Sequence, residues 1–341
     1  MFRQTVAGFC WPLLCRCFPP HIVVSCACSR RRLFWLVHFA AKITRDKDFS
    51  STALTLGGVL RYIGRHKPKW FILENVPLFK VIMGKVVQIL GKKGYATNSC
   101  NICPSDVCIP ATRRRIYLAG KYDPSAINLS LVSFEQTSKV FIAMAQAKYK
   151  INMKQFLLDL RGPIMQMWLS DLRRSKPGND GEKWPDKHDT VFQSHGLKRP
   201  SLRTMQEFIQ SKTTCEAQAT MFNSLTLREQ EAVYFVYRQA KYERLQVPMG
   251  RDISQSIDRL TNATDTVSCL TGSSIHWLFE LQGGEGLWRR LMGEEAMALQ
   301  GLTHHHLQNI REFSNKTLLS LAGNAFNLPC YCLVVLSLLM S

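Results

Sequence analysis

Two stretches of helical periodicity bracket one short, uninterrupted apolar run, and this arrangement limits the fold more than any other feature of the chain. Residues 52–67 place Leu56, Val59, Leu60 and Ile63 on one helical stripe, and Pro68 ends it. Residues 77–95 begin with Pro77, at home in a first turn. They carry Val81, Val86, Val87 and Leu90, and close on Lys92-Lys93-Gly94, a helix stop. Between them, Trp70 to Leu73 read as a strand buried on both faces, ending on Glu74 and Asn75. Residues 114–120 supply a second apolar strand. Helix, strand, helix, strand predicts an α/β sheet with right-handed crossovers. In open parallel sheets ligands bind beyond the carboxyl ends of the strands, where Glu74 and Asn75 fall. Taken alone, Glu74 equally fits a carboxylate that caps the next helix.

The chain has 341 residues, enough for one large or two ordinary domains, and its net charge of +19 favours polyanionic partners. Nucleic acid, an anionic membrane surface and a merely basic protein all fit that charge. No run reaches the roughly 18 apolar residues of a membrane span. The C-terminal stretch 327–341 comes nearest, but Pro329 interrupts it, and it reads as a buried helix or strand. Of the cysteines, only Cys100 and Cys103 show a zinc-type C-x-x-C step and no second pair follows, so no metal site is expected and the thiols are expected reduced. Three consecutive imidazoles, His304 to His306, cannot all face one ion from a regular element and are read as surface.

Residues 1–47 differ from the rest. They hold no acid before Asp46, are rich in Arg and Cys, and match a transit peptide only in part. They are read as an atypical basic segment, either a weak organelle signal or a stretch foreign to the ancestral domain.

Four separated stretches, Glu74-Asn75-Val76, 109–120, 289–302 and 321–326, resemble the later motifs of the DNA (cytosine-5) methyltransferases. The segment from Ile109-Pro110 to Arg113-Arg114-Arg115 stands where that family has an Arg-x-Arg strand, preceded by a Gly94-Tyr95 turn. Leu291, Glu295 and Gly301 keep the family's spacing in the third stretch. The resemblance implies a partial doubly wound, Rossmann-like S-adenosylmethionine-dependent methyltransferase domain with an inserted target-recognition region. It implies methyl transfer from S-adenosylmethionine to C5 of a flipped DNA cytosine, with RNA as the alternative polymer.

By that resemblance Glu74 is the acid that protonates or hydrogen-bonds cytosine N3, supported by Asn75 and Val76. Arg113 and Arg115, expected on one face of a strand, hold the base through O2. Gly323, Asn324 and Ala325 resemble the turn that touches the methyl donor, although an ordinary helix C-cap reads the same way. The expected organisation is methyltransferase core over 48–125, variable target-recognition region over 126–264 and return to the core over 265–341. In the variable region, 173–189 reads as a loop, Thr226-x-x-Glu229 as a capping box, and Lys198, Arg199, Arg203 and Lys212 as a phosphate path.

The departures from the family matter equally. Where its Pro-Cys nucleophile belongs, residues 34–39 contain no Cys, and the one Pro-Cys dipeptide, Pro329-Cys330, lies beyond the final motif. The Gly-rich donor turn is also missing; Gly57-Gly58 sits inside a helical pattern and does not replace it. The chain is therefore expected to be truncated or inactive alone. The alternative is a non-catalytic nucleic-acid-binding subunit, completed by another chain that supplies the missing half of the sheet. A nuclear or other DNA-associated location, with no membrane, follows as the expectation.

Overall fold

Strands and helices alternate through the first part of the chain because its apolar residues switch between continuous runs and helical stripes. The computed structural model describes residues 35–38, 50–124, 132–148, 152–174, 184–247, 249–260, 266–280, 286–302 and 310–341. In chain order the elements are β1 (Trp35–His38), α1 (Ser50–His66), β2 (Trp70–Asn75), α2 (Lys80–Gly91), β3 (Tyr95–Ile102), β4 (Arg115–Tyr122) and α3 (Val132–Lys148). They continue with α4 (Pro163–Arg174), α5 (Trp184–Ser194), α6 (Leu202–Lys212), α7 (Glu216–Asn223) and α8 (Leu227–Tyr242). Then come β5 (Gly250–Asp252), β6 (His276–Glu280), β7 (Gly286–Arg290), α9 (Gly293–Leu299), α10 (Asn315–Asn324) and α11 (Leu328–Leu339). Short 3-10 turns cover Pro77–Phe79 and Pro104–Val107.

Contacts divide the chain into two compact units. Of the described residues, the first contains those up to 109, those from 114 to 148 and 326–341, and the second contains 110–113 and those from 152 to 325. The sequence drew its boundaries elsewhere, at 125 and 264; here 265–325 cluster with 152–264, and 326–341 join the first unit.

The first unit is built on a four-stranded sheet in the order β1-β2-β4-β3. β1 runs parallel to β2, but β4 runs antiparallel to both β2 and β3. The expected all-parallel crossover is thus corrected. A strand over 95–102, masked in the sequence by polar Thr97, Asn98, Ser99 and Asn101, precedes β4 and pairs with it directly. Short connections of this kind join antiparallel strands, whereas parallel ones need a crossover of a dozen residues or more.

Side-chain alternation gives this sheet two distinct faces. Phe71, Leu73, Ile116 and Leu118 pack with Leu60, Ile63, Val86 and Leu90 of α1 and α2. Gly120 is needed there, since a Cβ would lie 2.0 Å from the Phe71 ring. The opposite face carries the cross-strand row Glu74, Tyr117, Cys100. Helix α3 packs on β3, and α11 packs on β4 and on α3. Helix α11 starts on Asn327, whose side chain accepts from Cys330 N–H, with Pro329 in the first turn. The C-terminal apolar stretch is a core helix of this unit, as its pattern suggested; Cys330, Leu333, Val334 and Leu338 are buried.

The second unit joins the antiparallel sheet β5-β6-β7 to the helices α4 to α10. Its core is aromatic: Phe208 meets Tyr234 at 5.0 Å and Trp288 at 5.6 Å, and Phe222 meets Trp277 at 5.3 Å, all edge to face. The capping box stands at the start of α8, with Thr226 N–H donating to Glu229 at 3.0 Å and Glu229 N–H to Thr226 Oγ1 at 3.3 Å. The loop expected over 173–189 gives way to helix α5 from Trp184, whose ring meets His188 edge to face and lies under the Arg199 guanidinium. His304 to His306 lie outside the described residues.

Candidate active site

Glu74 is the penultimate residue of β2, and the sheet rather than a loop fixes its surroundings. Its register partner on β4 is Tyr117. Arg115 lies two residues before Tyr117, hence on the same face and diagonal to Glu74. The Arg115 Nε stands 3.4 Å from Glu74 Oε1; the carboxylate is fully buried and the Arg115 side chain 15% exposed. The helix-cap alternative for Glu74 does not hold, since the 3-10 turn that follows starts from Val76 without any side-chain cap.

Asn75 points to the other face and is buried, its Oδ1 accepting from Val76 N–H at 2.7 Å. The Asn75 Nδ2 is buried without a hydrogen-bond partner among the described residues. Val76 is half-buried and extended, and it leads the chain into Pro77.

Glu74, Tyr117, Cys100 and Cys330 form a buried cluster. Burial pushes the Tyr117 hydroxyl well above its ordinary range, and Cys330, Glu74 and Cys100 push the same way while Arg115 opposes them. Cys100 is pushed up to about 12, first by burial, with a hydrogen bond to Ser138 working against it. Cys330, the cysteine of the Pro-Cys dipeptide, lies near enough to Cys103, Asp106, Glu74 and Cys100 for each to add to the effect of its burial, and its thiol is raised well above the usual value. The fold therefore carries this thiol into the neighbourhood of Glu74, which sequence order gave no reason to expect. It does so in an environment that keeps the sulfur protonated, whereas nucleophilic attack needs the thiolate.

Arg113 has a different setting from Arg115. The strand expected to carry both begins at Arg115, so alternation does not orient Arg113. Residues 110–113 belong to the second unit, where Ala111 bridges Val267 and Thr112 N–H donates to Val267 O at 2.8 Å. The buried Arg113 guanidinium donates from Nη1 to Leu270 O at 2.5 Å and to Gly323 O at 3.0 Å. Arg114 between them is exposed.

Gly323 and Asn324 close α10, and Ala325 leaves it in extended conformation. A Cβ on Gly323 would fall 2.0 Å from the Thr271 carbonyl carbon and 2.2 Å from Gly272 N, so only glycine allows this approach. Its carbonyl already receives Arg113, and the exposed Asn324 donates its amide to Ser320 O at 2.9 Å. These groups fit a packed helix end. They do not by themselves make a pocket for S-adenosylmethionine, because the backbone of Gly323 is committed and the sequence lacks the Gly-rich turn.

In the third stretch, Glu295 is buried against the Arg289 guanidinium and accepts from Met292 N–H and Leu158 N–H, each at 2.8 Å. Of the expected phosphate path, Arg199 is bound to Glu231 at 2.9 Å and Asp189 at 3.1 Å, and Arg203 to Glu207 at 2.9 Å. Lys212 Nζ donates to Tyr237 Oη at 2.7 Å, and Lys198 is exposed.

Comparison with known proteins adds what geometry leaves open. A curated relative, the DNA (cytosine-5-)-methyltransferase DMT5 of Cryptococcus neoformans var. grubii, is 26% identical over 295 residues; these are 80% of this chain and 11% of that protein. Among solved structures, the Schizosaccharomyces pombe Dnmt2 methyltransferase aligns at 12% identity and a TM-score of 0.44, covering 90% of this chain and 77% of that one. The Entamoeba histolytica methyltransferase EhMeth aligns at 15% identity and 0.45, covering 90% and 76%. The family model described as C-5 cytosine-specific DNA methylase matches residues 44–335, and with them all four motif stretches. This chain belongs to the C-5 cytosine-specific DNA methylase family, whose α/β fold and methyl donor, S-adenosylmethionine, come with that membership.

Proposed function

We propose that this chain serves methyl transfer from S-adenosylmethionine to C5 of a DNA cytosine turned out of the stack, with Glu74 and Arg115 as the groups that hold the base. The observation that carries this reading is the fully buried Glu74 carboxylate beside Arg115 at the end of β2. Cytosine C6 accepts a nucleophile only when charge developing at N3 is neutralised. A carboxyl group at the ring edge meets that need by donating its proton to N3. The Arg115 guanidinium has donors to spare for O2, and it keeps Glu74 turned toward the same side of the sheet. Arg113 acts at one remove, fixing the Leu270 and Gly323 carbonyls. S-adenosylmethionine supplies the methyl group when bound. A duplex target requires extrusion of the base, and DNA as substrate places the protein in the nucleus or with other intracellular DNA.

One observation favours a second reading. The thiol of the one Pro-Cys dipeptide, Cys330, is held protonated by burial. A chain that binds nucleic acid as a non-catalytic subunit, completed by a second polypeptide carrying the nucleophile, fits that state.

Trapping on DNA containing 5-fluorocytosine, with S-adenosylmethionine present, separates the two. A covalent adduct that disappears in Glu74→Gln supports the first reading. Salt-sensitive binding without an adduct supports the second. An adduct unchanged by Glu74→Gln removes Glu74 from the chemistry, and preferential trapping on 5-fluorocytosine RNA moves the substrate to RNA.

A further inference from the structure

The end of the first unit's sheet opposite Glu74 is strongly basic. β2 starts at Trp70, so about 13 Å of strand separates this end from Glu74. In register, Trp70 faces Lys121 and Tyr95 faces Tyr122. Lys69 Nζ and Lys121 Nζ lie 5.6 and 5.1 Å from the centre of the Trp70 ring, and Lys67 Nζ lies 5.5 Å from that of Tyr122. The Lys93 side chain lies across Gly64 of α1, and α1 ends on Arg65 and His66. Strand ends, helix end and connecting turn thus bring their cations to one end of the sheet, where Trp70 and Lys121 share one face and Tyr122 lies on the other.

Local stabilisation explains part of this charge. Arg65 and His66 complement the carbonyl end of α1. The same account extends to Lys67, whose N–H donates to Ile63 O at 2.9 Å where α1 ends, but not to Lys69, just before β2, or to Lys121 on β4. Lys67 occupies a left-handed conformation at φ 45°, an uncommon one for a residue with a side chain. Between Phe49 and Tyr122 the sequence contains two acids, Glu74 and Asp106. Glu74 lies at the far end of β2, and the Asp106 carboxylate accepts from Cys103 N–H beyond the far end of β3. Asp123 is the acid that adjoins the cluster. Two ammonium groups over one indole repel each other, a cost that a polyanion offsets.

The chemistry of the patch selects among polyanions. Docking on a lipid surface relies on exposed apolar side chains that enter the interface. Among the described residues, 61–73 and 92–124 contain no exposed large apolar side chain; the exposed Leu78 and Val81 lie beyond Glu74, and Ile89 near the end of α2 is a single exposed side chain rather than an apolar face. Lysines alternating with half-buried aromatic rings suit a sugar-phosphate backbone, where ammonium groups meet phosphates and rings meet sugars or bases. We infer that this end of the sheet, centred on Lys67, Lys69 and Lys121 around Trp70 and Tyr122, is a second nucleic-acid surface that grips the backbone away from Glu74. The inference is independent of any chemistry at Glu74.

The test is the salt dependence of binding of the full chain to a fluorescent 30-base-pair DNA duplex, for wild type and Lys67→Gln/Lys69→Gln/Lys121→Gln. Each phosphate contact contributes about 0.9 to the slope of log K against log salt, so the triple variant should lose about 2 to 3 in slope and bind roughly tenfold more weakly at 0.15 M salt. The Lys→Arg triple at the same positions should retain the slope. Lys139→Gln/Lys148→Gln/Lys154→Gln, with the same net charge change, should leave it near wild type. The inference is overturned by an unchanged slope in the first triple or by an equal loss in the third. Weakened binding in both the Gln and Arg triples with a lowered thermal midpoint assigns these lysines to folding and also overturns it. So does unchanged DNA binding together with lost binding to phosphatidylserine vesicles, which assigns the patch to lipid.

Discussion

Arg115 reaches the buried Glu74 carboxylate at 3.4 Å from the adjacent strand, and both residues are held by the β2–β4 register. Removing the cation alone should therefore cost more than removing both charges. Arg115→Ala should destabilise the fold by about 3 kcal/mol, the lower part of the range for a broken buried pair because Arg115 keeps some water contact. Glu74→Gln/Arg115→Ala should lie closer to wild type than Arg115→Ala does. Urea unfolding of the two single variants and the double variant measures this coupling; strict additivity would mean that the contact carries no energy.

The close approach of α10 to the 271–272 turn gives a second expectation. Gly323→Ala forces a methyl group into backbone atoms at 2.0 Å and should cost about 3 kcal/mol or more. Arg113→Ala leaves two carbonyls without their donor and should cost roughly 2 to 3 kcal/mol. Both are read by denaturant midpoint. An Arg113→Ala protein of unaltered stability would free that guanidinium for a direct role with the base.

Cys100 should make the protein sensitive to alkali. Its folded thiol is pushed up to about 12, above the roughly 8.5 of an exposed thiol, because burial disfavours the thiolate. The sign follows from linkage: the contribution is complete below the unfolded value and is lost as pH rises toward 12. Unfolding free energy should fall across that window, and Cys100→Ala should make the fall shallower. It should not abolish it, since Tyr117 and Cys330 are also raised. In the native protein at pH 8, a thiol reagent should modify the half-buried Cys215, Cys269 and Cys332 well before Cys100.

His276 should act on the acid side. It is fully buried in β6, opposite Asp252 of β5, and burial lowers its pKa below the ordinary value while Asp252 opposes the shift. A depressed histidine contributes stability above about pH 6.5 that is lost as pH falls through the folded value. Unfolding free energy measured at pH 7.5 and pH 5 should therefore drop for wild type and drop less for His276→Gln.

The local signals that the sequence carried were those with a single physical cause. Apolar stripes located α1 and α2, Thr226 and Glu229 located the start of α8, and the run ending at Glu74 located β2. Strand direction was not legible, because β3 is too polar to announce itself and the parallel alternative then looked sufficient. The separate settings of Arg113 and Arg115 were hidden for a related reason. Alternation assumes a continuous strand, and the chain becomes one only at Arg115, after residues 110–113 have paired with Val267. Nor could residue order show that Cys330 lies near Glu74, 256 positions earlier, since α11 reaches that face only through tertiary packing.

The reversed direction of β4 has a further consequence for how such a chain can vary. Antiparallel pairing sets the entry of β4 beside the exit of β2, so ladder bonds hold the acid and the guanidinium together whatever the length of the segment linking β3 to β4. Insertions after Ile102 are expected to be tolerated as long as the ladder re-forms. One extra residue inside β4, between Arg115 and Tyr117, would instead turn the guanidinium to the side occupied by α1 and α2 and leave the carboxylate facing no cation.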